Sequence, residues 1–93
     1  MVKVNYECDW YVYIIKCKDV TYYTGIATDV ARRVNEHNNA KKCRYTRYRK
    51  PVRLMYKDKC ANYNMARKRE KEIKNYARVK KEELISRVKT SRP

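Results

Sequence analysis

Five polar side chains have chemical types that suit one reaction. The periodicity of the predicted strands and helices places each of them on an inward-facing side. They are Tyr13, Tyr23, Arg33, His37 and Glu70. Cleavage of a phosphodiester requires charge neutralisation, a deprotonated nucleophile and a stabilised leaving oxygen. A carboxylate can hold one divalent cation that polarises the phosphoryl oxygen, and a planar guanidinium binds phosphate through two donors. A phenol near the cation can lose its proton and activate water. The set therefore indicates phosphodiester hydrolysis.

The two tyrosines come from two predicted strands, residues 10–17 and 21–27, which are rich in β-branched and aromatic side chains. A three-residue loop between them would place Ile15 opposite Tyr23. Tyr13 and Tyr23 would then be diagonal neighbours on one face of the sheet. The alternative is a tyrosine-rich face that only packs and leaves its hydroxyls in water. The chain has ten tyrosines and no phenylalanine, which favours a use for the phenol oxygens.

The arginine and the histidine belong to a helix that is predicted to follow the second strand. Arg33 and His37 are i and i+4, beside its inward-facing valines. Arg32 lies farther round the helix and can pair with Glu36 at the surface. A lone histidine is more often structural than catalytic. A cation beside His37 favours the catalytic interpretation, because it keeps the imidazole neutral and able to accept a proton.

The glutamate lies within an apolar stripe of a second predicted helix. The stripe is formed by Tyr63, Ala66, Glu70, Ile73 and Ala77 at spacings of three and four. A carboxylate that faces a core is costly unless it is paired or binds a metal. A metal ligand and a buried salt bridge to an arginine are both consistent with Glu70.

Chain length and charge limit the function classes. The 93 residues form one domain with a modest core, and the net charge is +15. Residues 1–40 sum to zero, so residues 41–93 carry the whole excess, which favours a polyanionic partner. The longest apolar run, WYVYII, is too short to span a membrane, and the N-terminus does not resemble a secretory signal. We expect an intracellular protein, cytoplasmic or nuclear.

The four cysteines do not suggest a metal site. Cys8, Cys17, Cys43 and Cys60 are widely spaced, and the chain has one histidine, so zinc ligation is not expected. We interpret them as reduced thiols that mostly serve packing.

The remaining signals predict an α+β domain of order ββαβαα, with a small three-stranded, mainly antiparallel sheet flanked by helices. Thr28 or Asp29 caps the first helix, and Asn62 caps the second, which runs to about Tyr76. The third strand is predicted at 52–56 and the third helix at 78–89. The predicted organisation is an N-terminal extension (1–9), a nuclease-like domain (10–87) and a basic C-terminal tail (88–93).

These motifs resemble the GIY-YIG nuclease superfamily, and especially its short stand-alone members. YVY (11–13) and YTG (23–25) stand where the two name-giving tripeptides lie, and ARRVNEH (31–37) is similar to the first helix of the family. KCRYTRYRKPVRLMY (42–56) resembles the basic loop and third strand, and ARKREKEIK (66–74) the helix with the acidic metal ligand.

The resemblance implies a divalent-metal-dependent DNA endonuclease with one Mg²⁺ or Mn²⁺ ion. Tyr13 and Tyr23 would be the motif tyrosines, one of them a general base or a group that positions the water. Arg33 would stabilise the scissile phosphate, His37 would assist proton transfer and Glu70 would bind the metal. Gly25, the only glycine, is expected to permit a tight backbone turn beside the site.

A basic segment is the predicted DNA-binding surface. Its cations meet phosphates, its tyrosines can stack on exposed bases, and its threonine can add a phosphate hydrogen bond. The residues are Lys41, Lys42, Arg44, Tyr45, Thr46, Arg47, Arg49 and Lys50. Nothing resembles a base-reading helix, so we expect recognition of branched, nicked or flapped DNA in repair or recombination, which allows a larger repair complex as a partner.

Two alternatives remain at this point. The first is a nucleic-acid-binding module on the same fold that cuts weakly or not at all. The second is a small RNA- or ribosome-associated protein, for which the charge is the only motive; it leaves the acid in the apolar stripe unexplained.

Overall fold

A computed structural model of the chain describes residues 9–39 and 49–90, with side chains to residue 87. The elements are β1 (Trp10–Lys16), β2 (Tyr22–Ala27), α1 (Val30–Asn39), β3 (Arg53–Cys60), α2 (Tyr63–Lys74) and α3 (Arg78–Thr90). The predicted α+β class and the order ββαβαα are confirmed. No helix within these residues combines the length and the apolar character that crossing a membrane requires.

The three strands form one antiparallel sheet in the order β2-β1-β3. In the β1–β2 hairpin Ile15 pairs with Tyr23, as the three-residue loop predicted. The Cys17 amide closes the hairpin by donating to the carbonyl of Thr21 at 2.8 Å. Val20 occupies the left-handed region in this loop, with φ of 59°. That conformation is unfavourable for a β-branched residue.

β3 is longer than predicted, because it extends to Cys60 and not only to residue 56. Its second half, Lys57 to Lys59, is charged and exposed, so it lacks the alternation of apolar and polar residues that predicts a strand. Charged side chains are common on an edge strand, where they oppose pairing with another chain. A β-bulge lies between Ile14 and Ile15 in the pairing of β1 with β3.

The central strand separates two apolar clusters, because alternate residues of β1 point to opposite faces. The first cluster contains Val12, Ile14, Tyr56, Ile73, Leu84 and Ile85, so α2 and α3 cover that face. The second contains Tyr13, Ile15, Cys17, Val30 and Val52, with Tyr23 and Val34 packed against it. α1 therefore covers the face that carries both motif tyrosines.

Two predicted caps position the helices. Asp29 Oδ1 accepts the amide N–H of Arg32 at 3.1 Å, which begins α1. Asn62 Oδ1 accepts the amide N–H of Met65 at 2.9 Å, which begins α2. α2 ends at Lys74, two residues before the predicted end.

The two cysteines among the described residues are free thiols. Burial raises the pKa of Cys17 and of Cys60 above the ordinary value of a thiol. A raised pKa keeps a thiol protonated and unreactive, which suits the predicted packing role. Cys8 and Cys43 lie outside the described residues.

Candidate active site

A tyrosine, a histidine and a second tyrosine meet on the α1 face of the sheet. The phenol oxygen of Tyr13, in β1, lies 3.0 Å from Nε2 of His37, in α1. Both residues are almost fully buried, at 1% and 2% exposure. The ring of Tyr23, in β2, approaches His37 edge-on with centroids 5.3 Å apart. Three separate elements thus bring together three of the five side chains that the sequence singled out.

Gly25 makes room for the Tyr13 phenol. It lies directly opposite Tyr13 in the hairpin register, and its backbone has no positive φ. A Cβ at position 25 would stand 2.6 Å from the phenol oxygen of Tyr13 and 2.8 Å from its Cζ. The predicted reason for this glycine, a tight backbone turn, was therefore wrong. The position is glycine because the phenol lies across the strand, so Tyr13 reaches toward the free edge of β2.

His37 is held in the neutral form. Burial lowers its pKa below the usual 6.5, and the nearby Arg33 cation lowers it further, while Glu36 acts in the opposite direction. A neutral imidazole has one nitrogen that accepts a hydrogen bond and one that donates. The Tyr13 phenol can therefore donate to Nε2 when the ring proton is on Nδ1.

Glu36 joins two arginines of α1. Its Oε1 accepts from Arg33 Nη1 at 2.9 Å, and its Oε2 lies 3.3 Å from Arg32 Nε. The pair of Arg32 with Glu36 was predicted, but the pair with Arg33 was missed. The i, i+3 spacing of Arg33 and Glu36 could have revealed it. The hydrogen bond from Arg33 is the main reason that the pKa of Glu36 is lowered.

An open cleft of about 310 Å³ lies beside Arg33. Arg33 and Glu36 line it from α1, Ala27 from the end of β2 and Trp10 from the start of β1. Trp10 also packs edge-on against Tyr63 at the start of α2, with ring centroids 5.0 Å apart. The cleft is large enough for a phosphate group and borders residues of both sheet faces.

Glu70 lies on α2, which packs on the face opposite α1 and contacts both β1 and β2. Its side chain is 15% exposed and pairs within its own helix, with Lys74 Nζ at 3.2 Å and Arg67 Nε at 3.6 Å. Ala66 and Ile73, its neighbours in the predicted stripe, are fully buried. The salt-bridge alternative for Glu70 is thus realised here. The two sheet faces meet at the edge of β2.

A divalent cation at this site would have few protein ligands. Among them, no group of three or more His, Cys, Asp or Glu side chains is placed to hold a metal ion. Mg²⁺ commonly takes one or two carboxylates and fills its other positions with water and substrate phosphate. Glu70 fits that role. Thr24 in β2 supports a polar occupant near this edge, because its buried hydroxyl finds no hydrogen-bond partner in the described part of the chain.

Most of this chain matches the model of a known protein family. The GIY-YIG catalytic domain matches residues 9–83. The chain belongs to the GIY-YIG family. This domain is a nuclease domain, so the family assignment indicates a nuclease that binds DNA.

Relatives of similar size support the assignment to the GIY-YIG family. The UPF0213 protein of Desulfotalea psychrophila is 49% identical over 77 residues, 82% of this chain and 70% of that protein. The UPF0213 protein of Staphylococcus saprophyticus is 47% identical over 76 residues, 82% of this chain and 93% of the relative. The solution NMR structure of the UPF0213 protein from Bacillus halodurans is 44% identical, with a TM-score of 0.54, covering 84% and 83% of the two chains. The resemblance to short stand-alone GIY-YIG proteins is confirmed.

The predicted DNA-binding segment of this GIY-YIG domain is only partly described. Arg49 pairs with Asp19 in the hairpin loop, with Nε 3.0 Å from Oδ2, and Lys50 is half-buried before Pro51. The other predicted residues lie outside the described residues: Lys41, Lys42, Arg44, Tyr45, Thr46 and Arg47.

Proposed function

We propose that this protein is a divalent-metal-dependent endonuclease that hydrolyses phosphodiester bonds of branched, nicked or flapped DNA in repair or recombination. The observation that carries the proposal is the buried contact of 3.0 Å between the Tyr13 phenol and His37 Nε2. Phenylalanine could fill this apolar position, but it lacks the oxygen that contacts His37. Instead, a titratable phenol touches a neutral base beside an arginine-lined cleft.

Tyr13 is the proposed general base, and His37 receives its proton. The lowered pKa of His37 keeps the imidazole available as an acceptor at neutral pH. The phenol can pass its proton toward Nε2 as it takes one from the attacking water, so that charge does not accumulate on the oxygen. Tyr23, edge-on to His37, fixes the plane of the ring.

Arg33 is the proposed phosphate ligand. Its guanidinium lines the cleft and is already oriented by Glu36 at 2.9 Å. A phosphate that enters the cleft competes with this carboxylate for the guanidinium, and a bidentate phosphate contact is the stronger one. Glu36 thus positions the arginine before substrate binds.

Glu70 is the proposed metal ligand, and it approaches from the α2 side. A bound divalent cation would supply Lewis-acid polarisation of the phosphoryl oxygen. Glu70 lies seven residues beyond Tyr63, which packs on Trp10 at the cleft, and this spacing corresponds to about 10 Å along α2. The edge of β2 is where groups from both faces can meet, since Tyr13 reaches across Gly25 toward it. The ion pairs of Glu70 with Lys74 and Arg67 would open when the metal binds.

DNA geometry rather than base sequence is the proposed basis of recognition. Residues 41–93 carry the entire net charge of +15, which suits contacts to the phosphate backbone. Phosphate contacts position a protein on DNA without reading its sequence. Binding of this kind does not depend on base sequence, which leaves the geometry of a branched or interrupted duplex as the proposed basis of selection.

The test is cleavage of nicked, flapped, branched and plain duplex DNA by the purified protein with Mg²⁺ or Mn²⁺. Tyr13→Phe and Glu70→Gln are each expected to reduce the rate by about 10²–10⁴-fold. Glu72→Gln is the matched control, because Glu72 is an exposed acid of the same helix that pairs with Arg69. It should cut like the wild type.

Equal cleavage by the wild type and by Glu70→Gln would assign the activity to a contaminant and end the proposal. The alternative, a DNA-binding module that does not cut, is favoured by one observation: both oxygens of Glu70 are engaged by basic residues. It predicts salt-sensitive DNA binding with no metal-dependent cleavage of any of these substrates.

A further inference from the structure

A second basic site lies at the hairpin end of the sheet, away from the cleft beside Arg33. It is a cavity of about 270 Å³ lined by Lys16, Cys17, Lys18, Pro51 and Arg53. Three of these five residues are cations, and no carboxylate is among the described residues that line it. The cavity joins the end of β1, the hairpin loop and the start of β3.

The register brings two of these cations together. Lys16 and Arg53 stand directly opposite each other in the pairing of β1 with β3. Like charges opposite each other in an antiparallel pair are destabilising, whereas opposite charges stabilise the sheet. Lys18 adds a third positive charge two residues along the chain. An arrangement of this kind becomes favourable when an anion lies between the cations.

The neighbouring acid does not serve that role. In the described residues, no ion pair joins Lys16, Lys18 or Arg53 to a carboxylate. Asp19 is nearest in the chain, but its Oδ2 pairs with Arg49 at 3.0 Å and its Oδ1 accepts from the Thr21 hydroxyl at 2.6 Å. Outside the described residues, the sequence has one acid, Glu7.

We propose that this cavity binds a backbone phosphate of the nucleic-acid strand. Lysine ammonium groups and an arginine fork are the usual phosphate donors, and the volume suits a phosphate with part of its sugar. This inference deepens the proposed function and rests on it for the identity of the polyanion. The cavity lies at the opposite end of β1 from the cleft beside Arg33, and the six residue steps from Trp10 at the cleft to Lys16 span about 20 Å. The cavity would therefore hold a phosphate several steps along the strand from the scissile one.

The experiment measures DNA affinity without catalysis. Binding of a fluorescein-labelled nicked duplex is followed by anisotropy in EDTA from 50 to 200 mM salt. The test protein carries Lys16→Gln, Lys18→Gln and Arg53→Gln. A matched control loses the same charge on the exposed faces of α2 and α3, through Lys68→Gln, Lys71→Gln and Arg87→Gln.

The slope of log affinity against log salt is expected to become shallower by about 0.9 in the test protein, since the cavity holds one phosphate and each phosphate contact contributes about 0.9. The control should change the slope by clearly less than this. Equal changes in the two proteins overturn the proposal, because net charge alone would explain the binding. Loss of binding to phosphatidylserine vesicles with unchanged DNA binding also overturns it and indicates a membrane surface.

Folding of each variant is checked by circular dichroism. If the triple variant does not fold, Lys18→Gln alone replaces it, because Lys18 is exposed in the hairpin loop, and the slope should become shallower by up to about 0.9. If the wild type cuts no DNA but the slope falls as expected, the proposed hydrolysis fails while the phosphate site stands. If the wild type cuts and the slope is unchanged, the phosphate site alone fails.

Discussion

Replacing Gly25 by alanine tests whether the position of the Tyr13 phenol matters. The new Cβ would stand 2.6 Å from the phenol oxygen, where an ordinary contact begins at 3.4 Å, so the ring must retreat by about 0.8 Å. Tyr13 is buried and has little space to retreat. Overpacking of this kind costs about 1–3 kcal/mol, partly offset by the 0.5–1 kcal/mol that alanine gains over glycine in a strand. We expect a net loss of about 1–2 kcal/mol in the free energy of unfolding.

The same displacement should affect catalysis more than stability. The contact between the phenol and His37 Nε2 is 3.0 Å, and a retreat of 0.8 Å would break or misdirect it. A misplacement of about 1 Å in a reacting group can cost about 10²-fold in rate. Urea unfolding and metal-dependent cleavage of a nicked duplex measure the two effects on the same preparation.

A double-mutant cycle with Tyr13→Leu isolates the contact. Leucine lacks the phenol oxygen, the Cζ and the Cε2 that the new Cβ would meet. In that background Gly25→Ala should be neutral or slightly stabilising, which gives a coupling energy of about 1 kcal/mol or more. The reasoning is refuted if Gly25→Ala costs the same free energy in both backgrounds, because the clash with Tyr13 would then not be its source.

Three further predictions concern stability. The free energy of unfolding should fall as pH drops below about 6.5, because the pKa of His37 is lowered in the folded protein and the unfolded state therefore binds a proton first. In urea titrations between about pH 7.5 and 5.5, His37→Gln should remove this dependence of the free energy of unfolding on pH. Val20→Asn should stabilise by about 0.5–1 kcal/mol in thermal unfolding, since asparagine tolerates the left-handed φ of 59°, and no gain would contradict that conformation. Asn38→Ala should lower the free energy of unfolding in urea by about 1–3 kcal/mol, because the side-chain amide of Asn38 accepts from Val52 N–H at 2.7 Å and donates to the Val52 carbonyl at 3.2 Å. Asn35→Ala, on the exposed face of the same helix, should lower it by less than about 0.5 kcal/mol.

The hairpin was predictable because its register follows from loop length. A three-residue loop between Cys17 and Thr21 fixes Ile15 opposite Tyr23, and period-two alternation then fixes the face of Tyr13. Likewise, a four-residue spacing is enough to place His37 beside Arg33 on one helix. These relations involve residues that are close in the sequence, so they can be predicted from its periodicity.

Long-range packing was not predictable in the same way. The reason for glycine at position 25 is the position of the Tyr13 ring, and the alternation of residues along a strand does not predict where that ring packs. The opposition of Lys16 and Arg53 depends on the bulge between Ile14 and Ile15, which shifts the register with β3. The face that α2 covers, and hence the side from which Glu70 approaches, is set by which helix packs on which cluster.

The electrostatics of α1 link phosphate binding to the basicity of His37, the proposed acceptor of the Tyr13 proton. Two effects lower the pKa of His37: burial, which is constant, and the Arg33 cation, whose effect depends on its partners. A phosphate bound to Arg33 brings negative charge next to that cation and offsets its repulsion of an imidazolium. His37 should therefore accept the Tyr13 proton more readily in the DNA complex than in the free protein. Transfer of a proton to His37 would thus be favoured in the complex that can use it.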